Sequence, residues 1–127
     1  MEENYKHSEL TKIVIGLAMK VHRKLGLGFP EVVYKRALII ELKKAGLLFM
    51  VEKEQAIFYE NEWVGARRVD ILVEEKVLLE LKAISEVNNA SYNQIQNCLE
   101  AFKIEVGLLI NFGSTSLQFK RFVNKNI

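Results

Sequence analysis

The stretch from Val69 to Ala83 reads VDILVEEKVLLELKA and places charged residues inside two apolar runs. The first run contains Asp70, and the second contains Glu80 and Lys82. An unpaired charge is costly to bury, so charges at such positions are usually paired, neutralised or bound to a metal ion. The polar triplet 74–76 between the runs is typical of a turn, so the stretch is predicted to form a β-hairpin.

The length of that turn decides where the charges lie. A three-residue turn at 74–76 would pair Val73 with Val77 and place Asp70 directly opposite Glu80. Because side chains alternate across a strand, Asp70, Glu80 and Lys82 would then share one face. A turn of two or four residues would separate the two carboxylates. The apolar residues divide between the charged face, with Leu72 and Leu78, and a second face that a helix must cover, with Val69, Ile71, Val73, Val77, Leu79 and Leu81.

Two facing carboxylates repel each other, and the pKa of one should rise unless a cation lies between them. A hard divalent ion, Mg²⁺ or Mn²⁺, suits such a pair, since it binds one or two carboxylates together with water and phosphate oxygens. Lys82 would reach the same place and could orient or deprotonate a water molecule, or stabilise a pentavalent phosphate. These parts together suit metal-assisted hydrolysis of a phosphodiester.

The rest of the chain alternates between helical and extended patterns. Ser8 is a plausible N-cap for the first helix, and Pro30 suits the first position of the second helix, which should end at Gly46. The predicted helices are 8–25, 30–45 and 89–103, and the predicted strands are 48–59, 63–73, 77–83, 106–112 and 117–123. The order α-α-β-β-β-α-β-β indicates an α+β fold with a mixed β-sheet flanked by helices, and the last strand should lie at an edge.

Composition narrows the class of protein. With 127 residues and a mass of 14.6 kDa, residues 1–127 are expected to form one domain. A net charge of +2 is too small to indicate nucleic-acid binding and does not exclude it. One cysteine and two histidines exclude an internal disulfide framework and argue against a zinc ribbon, a zinc finger or a His-rich nuclease site. The acidic start and the short apolar stretch 13–19 predict no signal peptide and no membrane span, so a cytoplasmic protein is expected.

Asp70 followed by Glu80-Leu81-Lys82 after a hairpin resembles the PD-(D/E)xK motif of the restriction-endonuclease-like nuclease superfamily. Residues 28–34 read G-x-x-E-x-x-Y, and the segments LELKA (79–83) and GLLINFG (107–113) follow. The chain is therefore identified as a member of the bacterial GxxExxY protein family over residues 8–123. This resemblance implies a restriction-endonuclease-like core that acts on nucleic acid, with DNA the expected partner.

The resemblance also assigns roles to individual residues. Asp70 and Glu80 would bind the metal together with the backbone carbonyl of Leu81, Lys82 would be catalytic, and Glu31 would be the acidic residue on the helix before the sheet. Substrate contacts would come from Arg68, Gln94 and Tyr34. Gln94 matches the glutamine of a Q-x-x-x-Y motif found in some branches, but Cys98 stands where the tyrosine would be.

Several of these residues have a plainer interpretation. Asp70, Glu80 and Lys82 could form a solvent-facing ion-pair network, and Glu31 could simply favour the helix dipole. Tyr34 could pack in the core with its hydroxyl near the site, and Arg68 could bind a phosphate or pair with Asp70. His22 is expected to be an interface or capping group, and Cys98 a small buried hydrophobe.

Two classes of function follow from these alternatives. The first is a metal-dependent nuclease or a nuclease-like DNA-processing protein. The second is a catalytically silent module that keeps the fold and binds nucleic acid or a protein partner. In either case 127 residues leave no room for a separate target-recognition domain, so a homodimer or a protein partner would have to supply specificity.

Overall fold

The computed structural model describes residues 6–126, which form three helices and seven strands. The helices are α1 (Ser8–Leu25), α2 (Glu31–Lys44) and α3 (Asn89–Phe102). The strands are β1 (Phe49–Val51), β2 (Glu54–Tyr59), β3 (Glu62–Arg68), β4 (Ile71–Val73), β5 (Val77–Lys82), β6 (Val106–Asn111) and β7 (Gln118–Val123). No helix within residues 6–126 is long and apolar enough to cross a membrane.

Five strands form the central sheet, in the order β1-β4-β5-β6-β7. Only the β5–β6 pair is parallel, which fits the α3 crossover between these strands. One face of the sheet packs on α1 and α2, and the other packs on α3, so apolar residues are buried on both sides. The predicted α+β fold with a mixed sheet flanked by helices is therefore confirmed, as is the edge position of the last strand.

The β4–β5 hairpin has the predicted three-residue turn. Val73 pairs with Val77, and Ile71 pairs with Leu79. Glu74 and Glu75 adopt left-handed backbone conformations, with φ of 54° and 55°, and Lys76 N donates to Val73 O. Asp70 immediately precedes β4 and thus comes opposite Glu80 at the open end of the hairpin.

Two predicted strands are each divided, so the number of strands is seven and not five. The segment 48–59 forms β1 and β2, and the segment 63–73 forms β3 and β4. The division occurs where Glu52 has a φ of 56° and where Asp70 leaves the extended conformation. Two backbone hydrogen bonds, Glu52 N to Asp70 O and Val69 N to Lys53 O, keep the two segments together across the break.

The break moves β2 and β3 out of the central sheet into a two-stranded arm. It also changes the predicted alternation: Val69 packs on the α3 side with Leu72, and not with Ile71 on the other face. At the ends of the helices the corrections are small. His7 occupies the N-cap position of α1 in place of Ser8, and Pro30 occupies the N-cap position of α2 rather than its first helical position.

Candidate functional site

Asp70 lies at the break between β3 and β4, and both of its carboxylate oxygens face polar hydrogens. Oδ2 accepts a 2.7 Å hydrogen bond from Leu81 N, and Oδ1 lies 4.0 Å from Lys35 Nζ. Burial raises the pKa of Asp70, while the Leu81 N–H and the ammonium groups of Lys35 and Lys82 act in the opposite direction. The Asp70 side chain thus accepts the hydrogen bond that Leu81 N–H would otherwise donate to a neighbouring strand.

Glu80 is the most deeply buried acid of the site, with 6% of the residue exposed. Its Oε1 has no hydrogen-bond partner within residues 6–126. Burial raises the pKa of Glu80 to about 7, and the neighbouring Asp70 carboxylate adds to the rise. A buried carboxylate oxygen without a partner is costly, which indicates that a proton or a cation completes this position.

Glu31 and Lys82 reach the same two carboxylates from different elements. Glu31 is the first residue of α2. Burial raises the pKa of its carboxyl, and the nearby Asp70 carboxylate raises it further. Lys82 is the last residue of β5, and its Nζ lies 3.5 Å from Gln94 Oε1 on α3. The structure therefore brings together Glu31, Asp70, Glu80, Lys82 and Gln94.

Two functional candidates are absent from the sequence-based prediction, Lys35 and Glu52. Lys35 is buried, and its Nζ donates a 2.8 Å hydrogen bond to Glu52 Oε2. Burying a lysine is uncommon without a partner. A signal was available for Lys35, since it lies four residues after Glu31 and hence on the same face of α2. No signal was available for Glu52, because its place depends on the break between β1 and β2.

Arg68 does not pair with Asp70. Its guanidinium donates to Glu54 Oε2 at 2.7 and 3.2 Å and lies 3.8 Å from Glu52 Oε1. Glu54 is its cross-strand partner in the two-stranded arm. Of the two interpretations of Arg68 from the sequence, pairing with Asp70 is wrong, because the break at residues 69–70 separates β3 from β4.

Tyr34 has a packing role. Its side chain is fully buried, stacks on Phe112 with ring centroids 4.8 Å apart, and donates a 2.5 Å hydrogen bond to Gly26 O. This contact ties the loop before α2 to the core and so helps to place Glu31. A side chain buried in this way cannot contact a substrate directly, so the structure favours the core interpretation of Tyr34.

The end of β5 that carries Lys82 is held by residues of the GLLINFG segment. The buried Asn111 side chain accepts from Ile84 N at 3.0 Å and donates to Ile84 O at 2.8 Å. A Cβ on Gly113 would lie 2.3 Å from Ile84 O, so only glycine fits there. The apolar pattern of this segment predicts a buried strand but does not reveal this positioning role.

His22 and Cys98 behave as simple structural groups. His22 Nε2 forms a 2.9 Å hydrogen bond with Ser114 O, which joins α1 to the loop before β7. Cys98 is buried in the α3 layer, and burial with help from the Glu80 carboxylate raises the pKa of its thiol to about 11. A thiol with such a pKa is a poor nucleophile at neutral pH.

The donor set suits a hard divalent cation with few protein ligands. Within residues 6–126 no three His, Cys, Asp or Glu side chains are grouped so that they could hold a metal ion. Asp70 and Glu80 offer two carboxylates, and Glu80 Oε1 is free of hydrogen bonds in the described part of the chain. Such a pair fits Mg²⁺ or Mn²⁺, which keep several waters, better than Zn²⁺, which takes nitrogen and sulfur ligands.

Comparison with known proteins adds evidence that is independent of this geometry. The family model described as the PD-(D/E)XK nuclease superfamily matches residues 8–122. None of the curated protein sequences matches the chain. Proteins of this superfamily generally use divalent metals.

Two solved structures resemble the fold. One is the crystal structure of SSO0001, with a TM-score of 0.62, 18% sequence identity and 92% of this chain covered. This chain spans 58% of that protein. The second is a phage-related exonuclease from Haemophilus somnus 129PT, with a TM-score of 0.45, 9% identity, 98% of this chain covered and 80% of that chain.

The first of these likenesses concerns the fold alone, and the second is too weak to support an argument. The family match is the stronger finding, since it covers both the Glu31 helix and the Asp70–Lys82 hairpin. The chain belongs to the PD-(D/E)XK nuclease superfamily.

Proposed function

We propose that this protein is a Mg²⁺- or Mn²⁺-dependent nuclease that hydrolyses phosphodiester bonds in DNA. The observation that carries the proposal is the pair formed by the half-buried Asp70 and the buried Glu80, with a Glu80 oxygen that lacks a partner within residues 6–126. A buried acid beside a second carboxylate destabilises the fold unless a proton or a cation balances the charge, so the pair favours a cation-binding site. The proposal includes membership of the GxxExxY family, for which the motif at residues 28–34 is the support.

Asp70 and Glu80 would hold the metal ion together with the Leu81 carbonyl. The N–H and C=O of one strand residue point to the same side of the strand, and Leu81 N–H points to Asp70. The Leu81 carbonyl therefore faces the same edge of β5, beyond the end of β4. The metal would supply charge stabilisation and an activated water molecule.

Lys82 would position that water or donate to a phosphate oxygen through its Nζ. Gln94 Oε1 lies 3.5 Å from this Nζ and would help to orient it. Glu31 would support the site from α2. In the hydrolysis the water oxygen would bond to phosphorus as its proton passes to a base, and the P–O bond to the leaving sugar oxygen would break. The leaving oxygen keeps the electron pair of that bond and takes up a proton from solvent.

The experiment combines metal binding with cleavage. We expect Mn²⁺ to bind the wild-type protein in calorimetry and to bind Asp70→Ala much more weakly. Lys82→Ala should keep metal binding but lower the cleavage of single- or double-stranded DNA by about two to four orders of magnitude. Glu75→Ala, in the turn at the opposite end of the hairpin, is the matched control and should behave like the wild type.

Unchanged cleavage in both Asp70→Ala and Lys82→Ala would refute the nuclease proposal. Salt-dependent DNA binding without cleavage, unaffected by Asp70→Ala, would instead support a catalytically silent binding module. A homodimer or protein partner that supplies specificity, and a location in the cytoplasm, stay predictions. The same holds for the single domain over residues 1–127.

A further inference from the structure

Four charged side chains of alternating sign form a line beside the Asp70–Glu80 pair. Lys35 Nζ lies 2.8 Å from Glu52 Oε2, and Arg68 lies 3.8 Å from Glu52 Oε1 on the other side. Arg68 continues the line to Glu54 at 2.7 Å. Glu52 is therefore placed between two cations, with one carboxylate oxygen directed to each.

The two cations differ in exposure in a way that matters for binding. The Lys35 side chain is 11% exposed, whereas the side chains of Glu52 and Arg68 are 52% and 59% exposed. Lys35 also lies within 4.0 Å of Asp70 Oδ1. The Lys35 ammonium is thus buried next to Asp70, whereas the Glu52 carboxylate that pairs with it is half exposed to solvent.

The backbone of Glu52 is fixed independently of the ion pairs that its side chain makes. Its N–H donates a 3.0 Å hydrogen bond to Asp70 O, and its φ of 56° fixes the bend between β1 and β2. The half-exposed carboxylate gains hydration when it swings into water, and an incoming phosphate would replace it at the buried Lys35 ammonium. The carboxylate can therefore leave Lys35 and Arg68 while the surrounding backbone remains in place.

A phosphodiester presents two anionic oxygens, as a carboxylate does, and ammonium and guanidinium groups bind both. We propose that Lys35 and Arg68 form a binding site for a backbone phosphate of nucleic acid, which the Glu52 carboxylate occupies in the free protein. This inference rests on the proposed function. It deepens that function by adding a phosphate site next to the metal-binding carboxylates and a competing side chain that weakens binding.

Glu52 then acts as an internal competitor. A nucleic acid must displace it before Lys35 becomes available, so phosphate binding at this site is weaker than the two cations alone would give. The neighbouring Glu54 provides the matched comparison, since it has the same charge and pairs with Arg68 but has no contact with Lys35 among the described residues. A general loss of negative charge would affect both positions alike.

The test is the binding of a fluorescent DNA duplex in EDTA, measured against salt concentration. We expect Glu52→Gln to bind about fivefold to tenfold more tightly at low salt and to have a salt slope steeper by about one, the value for one extra phosphate contact. Lys35→Gln should cancel that gain in the double variant. Glu54→Gln should give a smaller gain that Lys35→Gln leaves unchanged.

Lys35→Arg, which keeps the charge, should preserve the gain and guards against a variant that fails to fold. Equal gains from Glu52→Gln and Glu54→Gln, both independent of Lys35, would overturn the inference but leave the nuclease proposal intact. A wild-type protein that cleaves DNA but whose affinity is unchanged in Glu52→Gln would do the same. A wild-type protein that binds neither DNA nor RNA at low salt would overturn both.

Discussion

The two faces of β5 are both removed from water, yet they are built differently. On the face toward α1 and α2, Val77, Leu79 and Leu81 are at most 1% exposed and belong to one apolar core cluster. On the face toward α3, Leu78 is equally buried, but the next residue along this face is Glu80. The same strand thus offers complete apolar packing on one side and an incompletely satisfied acid on the other.

The difference follows from the length of β4. This strand begins at Ile71, opposite Leu79, so β5 continues for three residues without a strand partner on that side. Leu81 N–H is left to Asp70, and the second carboxylate comes from Glu80 on the face of α3. Because β4 is short, the Asp70 side chain takes the hydrogen bond of Leu81 N–H beside Glu80, and the two neighbouring acids cost stability there instead of adding to it.

The largest expected effect belongs to the apolar face. Leu79→Ala should lower the free energy of unfolding by about 2–5 kcal/mol, since it removes a fully buried side chain and leaves a cavity. Denaturant unfolding followed by circular dichroism measures this change. Leu78→Ala should have a similar effect; a loss below about 1 kcal/mol there would show that α3 does not seal the other face.

A second prediction concerns the pH dependence that Glu80 introduces. Its pKa rises from 4.5 unfolded to about 7 in the folded protein, so the folded state binds more protons in this interval. Stability is therefore greatest at the acid end of the window and falls as pH rises through about 7, by on the order of 3 kcal/mol for this group. Glu80→Gln should flatten the slope of unfolding free energy against pH between pH 5 and pH 8.

A metal ion should reverse this trend in the wild type. Because binding displaces the proton, Mn²⁺ should raise the melting temperature more at pH 8 than at pH 5.5, and Glu80→Gln should reduce that rise. Thermal unfolding with and without Mn²⁺ at the two pH values is the measurement. In the absence of metal, a wild-type plot of unfolding free energy against pH that is as flat as the plot for Glu80→Gln would contradict the burial of an acid on the α3 face.

The smallest expected effect is at Gln94, which lies where α3 meets the charged end of β5. Gln94→Ala should reduce cleavage less than tenfold, because its 3.5 Å contact only orients Lys82. Unfolding free energy should change by less than about 0.5 kcal/mol, as for most partly exposed polar sites. A hundredfold loss of activity at unchanged stability would instead give Gln94 a direct part in substrate binding.

Much of the fold could be predicted from the local pattern. The three helices lie within one residue of their predicted bounds, and the turn at 74–76 has the predicted length. Helix bounds and turn lengths depend on hydrophobic periodicity and turn residues, which can be read from a few neighbouring positions. The facing of Asp70 and Glu80 therefore follows from the hairpin sequence and its turn length. The divided strands could not be predicted in this way, since neither Glu52 nor Asp70 is flanked by a glycine or a proline that would mark a break.

The sequence alone determined the identity of the acids and of Lys82, because charges within apolar runs are visible in the order of the residues. Only the tertiary structure decided that Lys35 joins Lys82 beside those acids. Lys35 comes from α2 and Glu52 from the break after β1, and they meet through the packing of α2 on the sheet. Sequence periodicity reports the face of one element, whereas an ion pair between two elements depends on how they pack, and that information is not local.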